Sequence, residues 1–250
     1  MFKLQKLLSP TMVLLGVALM ILSCLYVSSF LAIISVTLIF WGAILFYVKP
    51  AKYVPFSFVT ATSNSSTDNI NKVLSEINVV QKGYYLPPKS IQDTKFSLLF
   101  IPKYPIRSLP AINEITSNSL VPKKDGLLLT PPGYDFSMLM EQKLGQSFSE
   151  IDLNTLVKQL PKLLVDELEI AENVELHAKE GFLTVEIRGS FFIDECNQTK
   201  RYPNVHTTAG CLLSSSLACV LAKVTGKAVT IKSEETVNKT MTFEYQIIGE

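Results

Sequence analysis

Between Met12 and Val48 lie thirty-seven positions without one charged side chain, bounded by Lys3 and Lys6 on one side and Lys49 and Lys52 on the other. A single helix of that length would be roughly 55 Å long at about 1.5 Å per residue, against a bilayer hydrocarbon core of about 30 Å. The run therefore predicts two helical spans joined by a tight turn. Ser28 and Ser29, near its middle, mark the turn and leave spans at 9–27 and 30–48. Lipid offers backbone groups no hydrogen-bond partner, so each half must be helical across the core. Trp41, Tyr47 and Tyr53 collect toward the near interface, where amphipathic rings are favoured. Gly16 and Ala43 are small enough to let the two helices approach closely. Residues 1–52 are thus expected to form a transmembrane helical hairpin, with the lipid bilayer as first partner.

Lysine-rich short flanks stay in the cytoplasm, which predicts a two-pass cell-membrane protein with both termini cytoplasmic. A cleaved signal peptide is the alternative. The apolar stretch exceeds the usual h-region of about 7 to 15 residues, lacks a clean small-x-small cleavage site and runs directly into a second apolar segment.

All 22 acidic residues follow Val48, whereas Lys3 and Lys6 take two of the 23 basic ones, so the remainder carries about one net negative charge. With lysines dispersed rather than clustered, no nucleic-acid partner is expected. Of the four cysteines, Cys24 falls in the first span and Cys196, Cys211 and Cys219 near the C-terminus. A reducing cytoplasm argues against structural disulfides. The sequons at Asn64, Asn197 and Asn238 would matter only in an inverted topology.

Residues 53–66 read as a linker, and 67–250 as one α+β domain with an antiparallel sheet packed against helices. A helix is predicted from Thr67 to Gln81, carried by Ile70, Val73, Leu74, Ile77 and Val80. Prolines then punctuate the chain, leaving strands at Lys95 to Ile101 and Gly126 to Thr130, a loop from Tyr104 to Lys124, and a stop at Pro131-Pro132-Gly133. Helices are predicted at Phe136 to Leu144 and Leu153 to Leu168, the second kinked or restarted at Pro161. A hairpin follows, Val174 to Ala178 and Phe182 to Arg188, with Gly189 to Ile193 prolonging its second strand. Thr207 to Gly226 reads as one helix in which Gly210, Ser214, Ala218 and Ala222 recur every fourth residue, a face nearly without side chains that suits close packing. About fourteen uncharged residues before Lys223 suit a buried helix better than a third span. Strands at Ala228 to Lys232 and Thr240 to Ile248 close the chain.

The run AGCLLSSSLACVLAKVTGKAVTI (Ala209 to Ile231) followed by TMTFEYQI (Thr240 to Ile247) resembles the 4-vinyl-reductase-like domain. With its N-terminal hairpin and PPG turn, the whole chain resembles uncharacterised archaeal two-span membrane proteins. The resemblance implies a cytoplasmic small-molecule-binding module of α+β fold. Such domains often carry cysteines near the last hairpin, where this chain has Glu234, Glu235, Thr236, Val237, Asn238 and Lys239.

Cys211, in the expected first turn of the small-residue helix, is the best reactive-thiol candidate, because the helix N-terminus favours a thiolate. Its bland reading is a small buried side chain. A site built from Cys196, Cys211 and His206 requires the preceding loop to fold back, and without a CxxC pair no metal is expected. His177 and His206 read as surface or satisfied histidines. Asp166, Glu167, Glu169, Glu172 and Glu175 read as a solvated acidic face. No phosphate loop or nucleophile elbow is present, no catalytic residue is assigned and no cofactor is named. The expected activity is non-enzymatic: a membrane-tethered ligand-binding or sensory domain with a small-molecule site at Gly210, Cys211, Ser214, Ser215 and Ala218. A scaffold acting through protein contacts, including a homodimer, is the alternative, and a thiol-dependent enzyme using Cys211 a third.

Overall fold

The computed structural model describes residues 2–47, 67–79, 81–88, 97–106 and 126–249. The linker at 53–66 and most of the loop between Tyr104 and Lys124 lie outside them. The chain divides into two compact units, Met1–Phe58 and Val59–Glu250.

The first unit contains helices α1 (Phe2–Tyr26) and α2 (Ser29–Tyr47). Val27 joins them in a left-handed conformation (φ 47°), so the chain reverses beside the expected Ser28–Ser29 pair. The helices touch where side chains are smallest: a Cβ on Gly16 would lie 3.0 Å from the Ser35 carbonyl oxygen and 2.7 Å from Ile39. Three hydroxyls find partners inside the pair. Ser35 donates to the Ala32 carbonyl (2.7 Å) and the Met20 sulfur (3.2 Å), Ser23 to the Ser28 carbonyl (2.9 Å), and Thr37 to the Ile33 carbonyl (2.8 Å).

The second unit is an α+β domain built, among the described residues, on a seven-stranded antiparallel sheet in the order β3-β2-β1-β6-β7-β5-β4. Helix α3 occupies 67–76, shorter than its periodicity predicts, because Asn78 turns left-handed (φ 54°) and the Val79 N–H caps the Leu74 carbonyl at 3.1 Å. Strand β1 (Tyr84–Leu86), unforeseen in the proline-rich segment, pairs with β2 (Leu98–Pro102), which pairs with β3 (Gly126–Leu129). Helix α4 (Tyr134–Leu144) ends at Gly145 (φ 73°). Helix α5 (Leu153–Lys162), capped by the Asp152 carboxylate, runs through Pro161 and widens into a π turn at Leu163–Glu167. A proline has no N–H to give the preceding turn, and a wider turn absorbs that defect without breaking the apolar face.

The hairpin β4 (Asn173–Lys179) and β5 (Phe182–Arg188) turns at Gly181, as predicted. The strand then stops. Gly189 is left-handed (φ 65°), and two short helices that the periodicity did not disclose follow, α6 (Ile193–Thr199) and α7 (Pro203–Ala209). The helix expected over Thr207 to Gly226 is therefore two: α7 stops at Gly210 and α8 covers Leu212–Thr225. Strands β6 (Ala228–Val237) and β7 (Thr240–Ile248) complete the sheet.

Helix α8 is the centre of the domain, and every residue from Leu213 to Ala222 is buried. It lies on the sheet face formed by Tyr85, Val229, Ile231, Phe243 and Tyr245, with α4 and α5 beside it. The segment Pro203–Thr225 is long and apolar enough to cross a bilayer, but 83% of its apolar 18-residue window is buried inside this unit, as befits core helices. The apolar stretches of the N-terminal helices, Pro10–Tyr26 and Ser29–Leu45, are shorter.

Candidate functional site

The small-residue face of α8 is spent largely on close packing. A Cβ on Gly133 would lie 2.0 Å from the Ser216 nitrogen, so the PPG turn rests its backbone directly on the helix, and its Gly133 N–H donates to Ser215 Oγ at 3.0 Å. Behind the helix, the buried Tyr245 hydroxyl donates to the Ser214 carbonyl at 3.0 Å. Strand β1 and the glycine before it complete the C-terminal end of α7: Gly83 N–H donates to the Thr208 carbonyl (2.8 Å) and Tyr85 hydroxyl to the Ala209 carbonyl (2.5 Å), which occupies acceptors a helix end leaves open.

Of the five expected binding residues, Gly210, Cys211 and Ser214 converge on one point, while Ser215 faces the PPG turn and Ala218 lies wholly within the core. That point is the N-terminus of α8. Gly210 (φ 67°) breaks the chain direction, and Cys211 follows as the N-cap, with no side-chain cap of its own. Carboxylates supply the missing acceptors. Glu234 Oε1 accepts from the Cys211 N–H at 3.3 Å and from the Ser214 hydroxyl, and Glu195 accepts from the Leu212 N–H. Placing negative groups against unpaired amides is what a helix N-terminus favours. His206 Nε2 is 3.1 Å from Glu234 Oε2, though outside hydrogen-bond geometry, and that nitrogen is buried.

Cys196, in α6, is disulfide-bonded to Cys211, with Cα atoms 5.0 Å apart. This corrects the expectation of unpaired thiols: α6 and α7 fold the loop back so that Cys196 meets the N-cap of α8. Glu195 lies beside the bridge, its Oε2 3.6 Å from Cys196 Sγ and its Oε1 accepting from Thr199 Oγ1 at 3.1 Å. Burial, reinforced by the nearby Glu234, pushes Glu195 up to about 7 despite its hydrogen bonds from Thr199 and Leu212. Cys219 is free and buried, and desolvation raises its thiol far from reactivity.

Glu234 escaped the sequence reading for an identifiable reason. Strict alternation from Val229 and Ile231 would aim Ser233 and Glu235 at the helices. A bulge between Ile231 and Ser233 adds one residue, so Glu234 pairs with the buried Phe243 and points inward instead.

A second feature occupies the opposite face of the sheet. Residues alternating with the core positions of β6 and β7, Thr230, Lys232 and Gln246, join Lys82, Tyr84 and Ile106 around a cavity of about 380 Å³. Thr230 is 4% exposed, and its hydroxyl is buried without a hydrogen-bond partner among the described residues. Lys82 is partly desolvated, which lowers its pKa; its ammonium donates to the Ile231 carbonyl at 3.0 Å and to that of Lys232, along the open edge of β6 beside the bulge.

Together these features define a class: a helix pair followed by an α+β domain in which a central small-residue helix, capped by buried carboxylates and a disulfide, lies on one antiparallel sheet. The chain belongs to the DUF7982 family, a domain of unknown function, whose match runs over residues 8–246. No curated protein and no solved structure matches it.

Proposed function

We propose that the protein is a membrane-tethered, non-enzymatic receptor domain, facing the cytoplasm, that binds a small polar molecule with anionic character on the outer face of its sheet. The cavity lined by Thr230 carries the reading. A buried hydroxyl without a partner costs about 1–3 kcal/mol, a penalty that a bound polar group removes. Lys232 and Lys82 supply positive charge beside it, and Tyr84 and Ile106 supply apolar wall, the mixture that small-molecule sites use. The resemblance of Ala209 to Ile231 to 4-vinyl-reductase-like modules favours the same kind of role.

The tether rests on the first unit. Leu14, Leu25, Phe30 and Ile33 are 67–73% exposed within it, its Ser23, Ser35 and Thr37 hydroxyls are satisfied internally, and in sequence Lys3 and Lys6 precede its apolar run and Lys49 and Lys52 follow it. Apolar surface on all sides, with internally satisfied polar groups, is what lipid selects. The DUF7982 match spans both units, so helix pair and domain travel together as one family.

The test is thermal stabilisation of the full chain in detergent by a panel of small carboxylates and phosphates. At least one should raise the melting temperature in the wild type and lose most of that effect in Thr230→Val, which keeps the side-chain shape but removes the hydroxyl. A panel with no hit, or a hit indifferent to Thr230→Val, would sink the proposal.

A further inference from the structure

We propose that Glu195, Cys196 and Cys211 form a thiophilic divalent-metal site that the Cys196–Cys211 disulfide keeps closed and a dithiol reductant opens. Their ligand atoms, one carboxylate oxygen and two sulfurs, all lie within 4.8 Å of one another. A tetrahedral ion bonded at about 2.0–2.3 Å holds its donors roughly 3.5 Å apart, so small side-chain movements suffice once the sulfur–sulfur bond is gone. The two sulfur-bearing residues are buried, Cys211 fully and Cys196 at 3% exposure, which shields both sulfurs from bulk solvent. The carboxylate is already oriented. Thr199 holds Glu195 Oε1 from one side, leaving Oε2 turned toward Cys196 Sγ, the kind of supporting bond that metal-binding carboxylates use.

Two thiolates and one carboxylate suit zinc or cobalt(II) far better than magnesium or calcium, with the fourth position left to water. In the opening step the disulfide takes two electrons and two protons from the dithiol, which itself becomes a disulfide. Metal binding then displaces the protons of the two new thiols. The link between α6 and the N-cap of α8 is thereby kept in both states, by a covalent bond when oxidised and by an ion when reduced. In a reducing cytoplasm the ion is the resident staple. This site is separate from the Thr230 cavity and its metal chemistry does not depend on that proposal; only its resident state rests on the cytoplasmic orientation proposed above.

The experiment uses full-length protein in detergent, reduced with a trialkylphosphine, desalted without oxygen and titrated with cobalt(II) alone. The result expected is one cobalt per chain, with a thiolate-to-cobalt charge-transfer band and tetrahedral ligand-field bands that zinc bleaches. Protein left oxidised should show neither. Cys196→Ser and Cys211→Ser should abolish the band, Cys219→Ser should keep it, and Glu195→Gln should weaken binding about tenfold or more. Circular dichroism reports whether each serine variant is folded, and Glu195→Gln keeps both sulfurs, so the outcome does not hang on those variants. Absence of the band in reduced wild type, its survival in folded Cys196→Ser, its loss in Cys219→Ser, or unchanged affinity in Glu195→Gln would each overturn the site.

Discussion

Gly133 has room for a hydrogen and nothing larger. A methyl group there would meet the backbone of Ser215 and Ser216 at 2.0–2.5 Å, and neither the PPG turn nor the buried helix beneath it can withdraw. Gly133→Ala should therefore cost about 3 kcal/mol, read as a fall in melting temperature of roughly 6–12 °C for a domain of this size. A drop of only a degree or two would mean that the turn is not seated on α8. The requirement is half legible from sequence. The small residues of α8 announce that something approaches closely, and PPG announces a stop, but only the fold reveals that these two segments meet. Cys211 teaches the same lesson differently. Its place near a helix N-terminus is read from the apolar run that follows, although Gly210 was counted inside that helix rather than as its break, and its bond to Cys196 depends on α6, a helix of seven residues too short to leave a periodic signature.

At the scale of elements, α4 is fastened to the last turn of α8 by one carboxylate. Glu141 accepts from Lys223 Nζ (2.6 Å), Ser147 Oγ (2.7 Å) and the Phe148 N–H (2.8 Å). Burial alone would raise its pKa, but these three donors outweigh burial and hold it below the ordinary 4.5. The ionised carboxylate thus stabilises the fold at pH above about 4.5, and that contribution disappears as pH falls through the lower folded value. Glu141→Gln should cost about 1–2 kcal/mol at neutral pH and flatten the loss of stability on acidification, measured by urea unfolding across the acid range. Equal acid sensitivity in variant and wild type would contradict this assignment. The long periodic elements, α4, α5, the β4–β5 hairpin and β7, were legible within a few residues. What was not legible shares a cause. Strand β1 has three residues among prolines, α6 and α7 have seven each, and the bulge in β6 is an insertion that alternation cannot register. Each is fixed by tertiary contacts rather than by local pattern.

On the scale of the whole molecule, the cysteines offer a test of the tether. Among the four, Cys196 and Cys211 are paired, Cys219 is buried, and Cys24 on α1 is exposed. If α1 lies in lipid, a membrane-impermeant maleimide should leave Cys24 unlabelled from either side of a sealed membrane and label it after transfer to a small detergent. Labelling of Cys24 in the intact membrane would place that helix in water and remove the tether.

The seven strands are not equally joined. Three of them, β3-β2-β1, meet the other four through a single register position, Tyr85 opposite Val229. Mechanically this is a seam, and the Thr230 cavity straddles it, with Tyr84 and Pro102 on one bank and Thr230 and Gln246 on the other. An occupant would work as a suture, tying two panels that the backbone only tacks together. Deuterium uptake at the amides of Tyr85 and Val229 should then slow more than anywhere else in the domain when the cavity fills, turning a weak join into the gauge of occupancy.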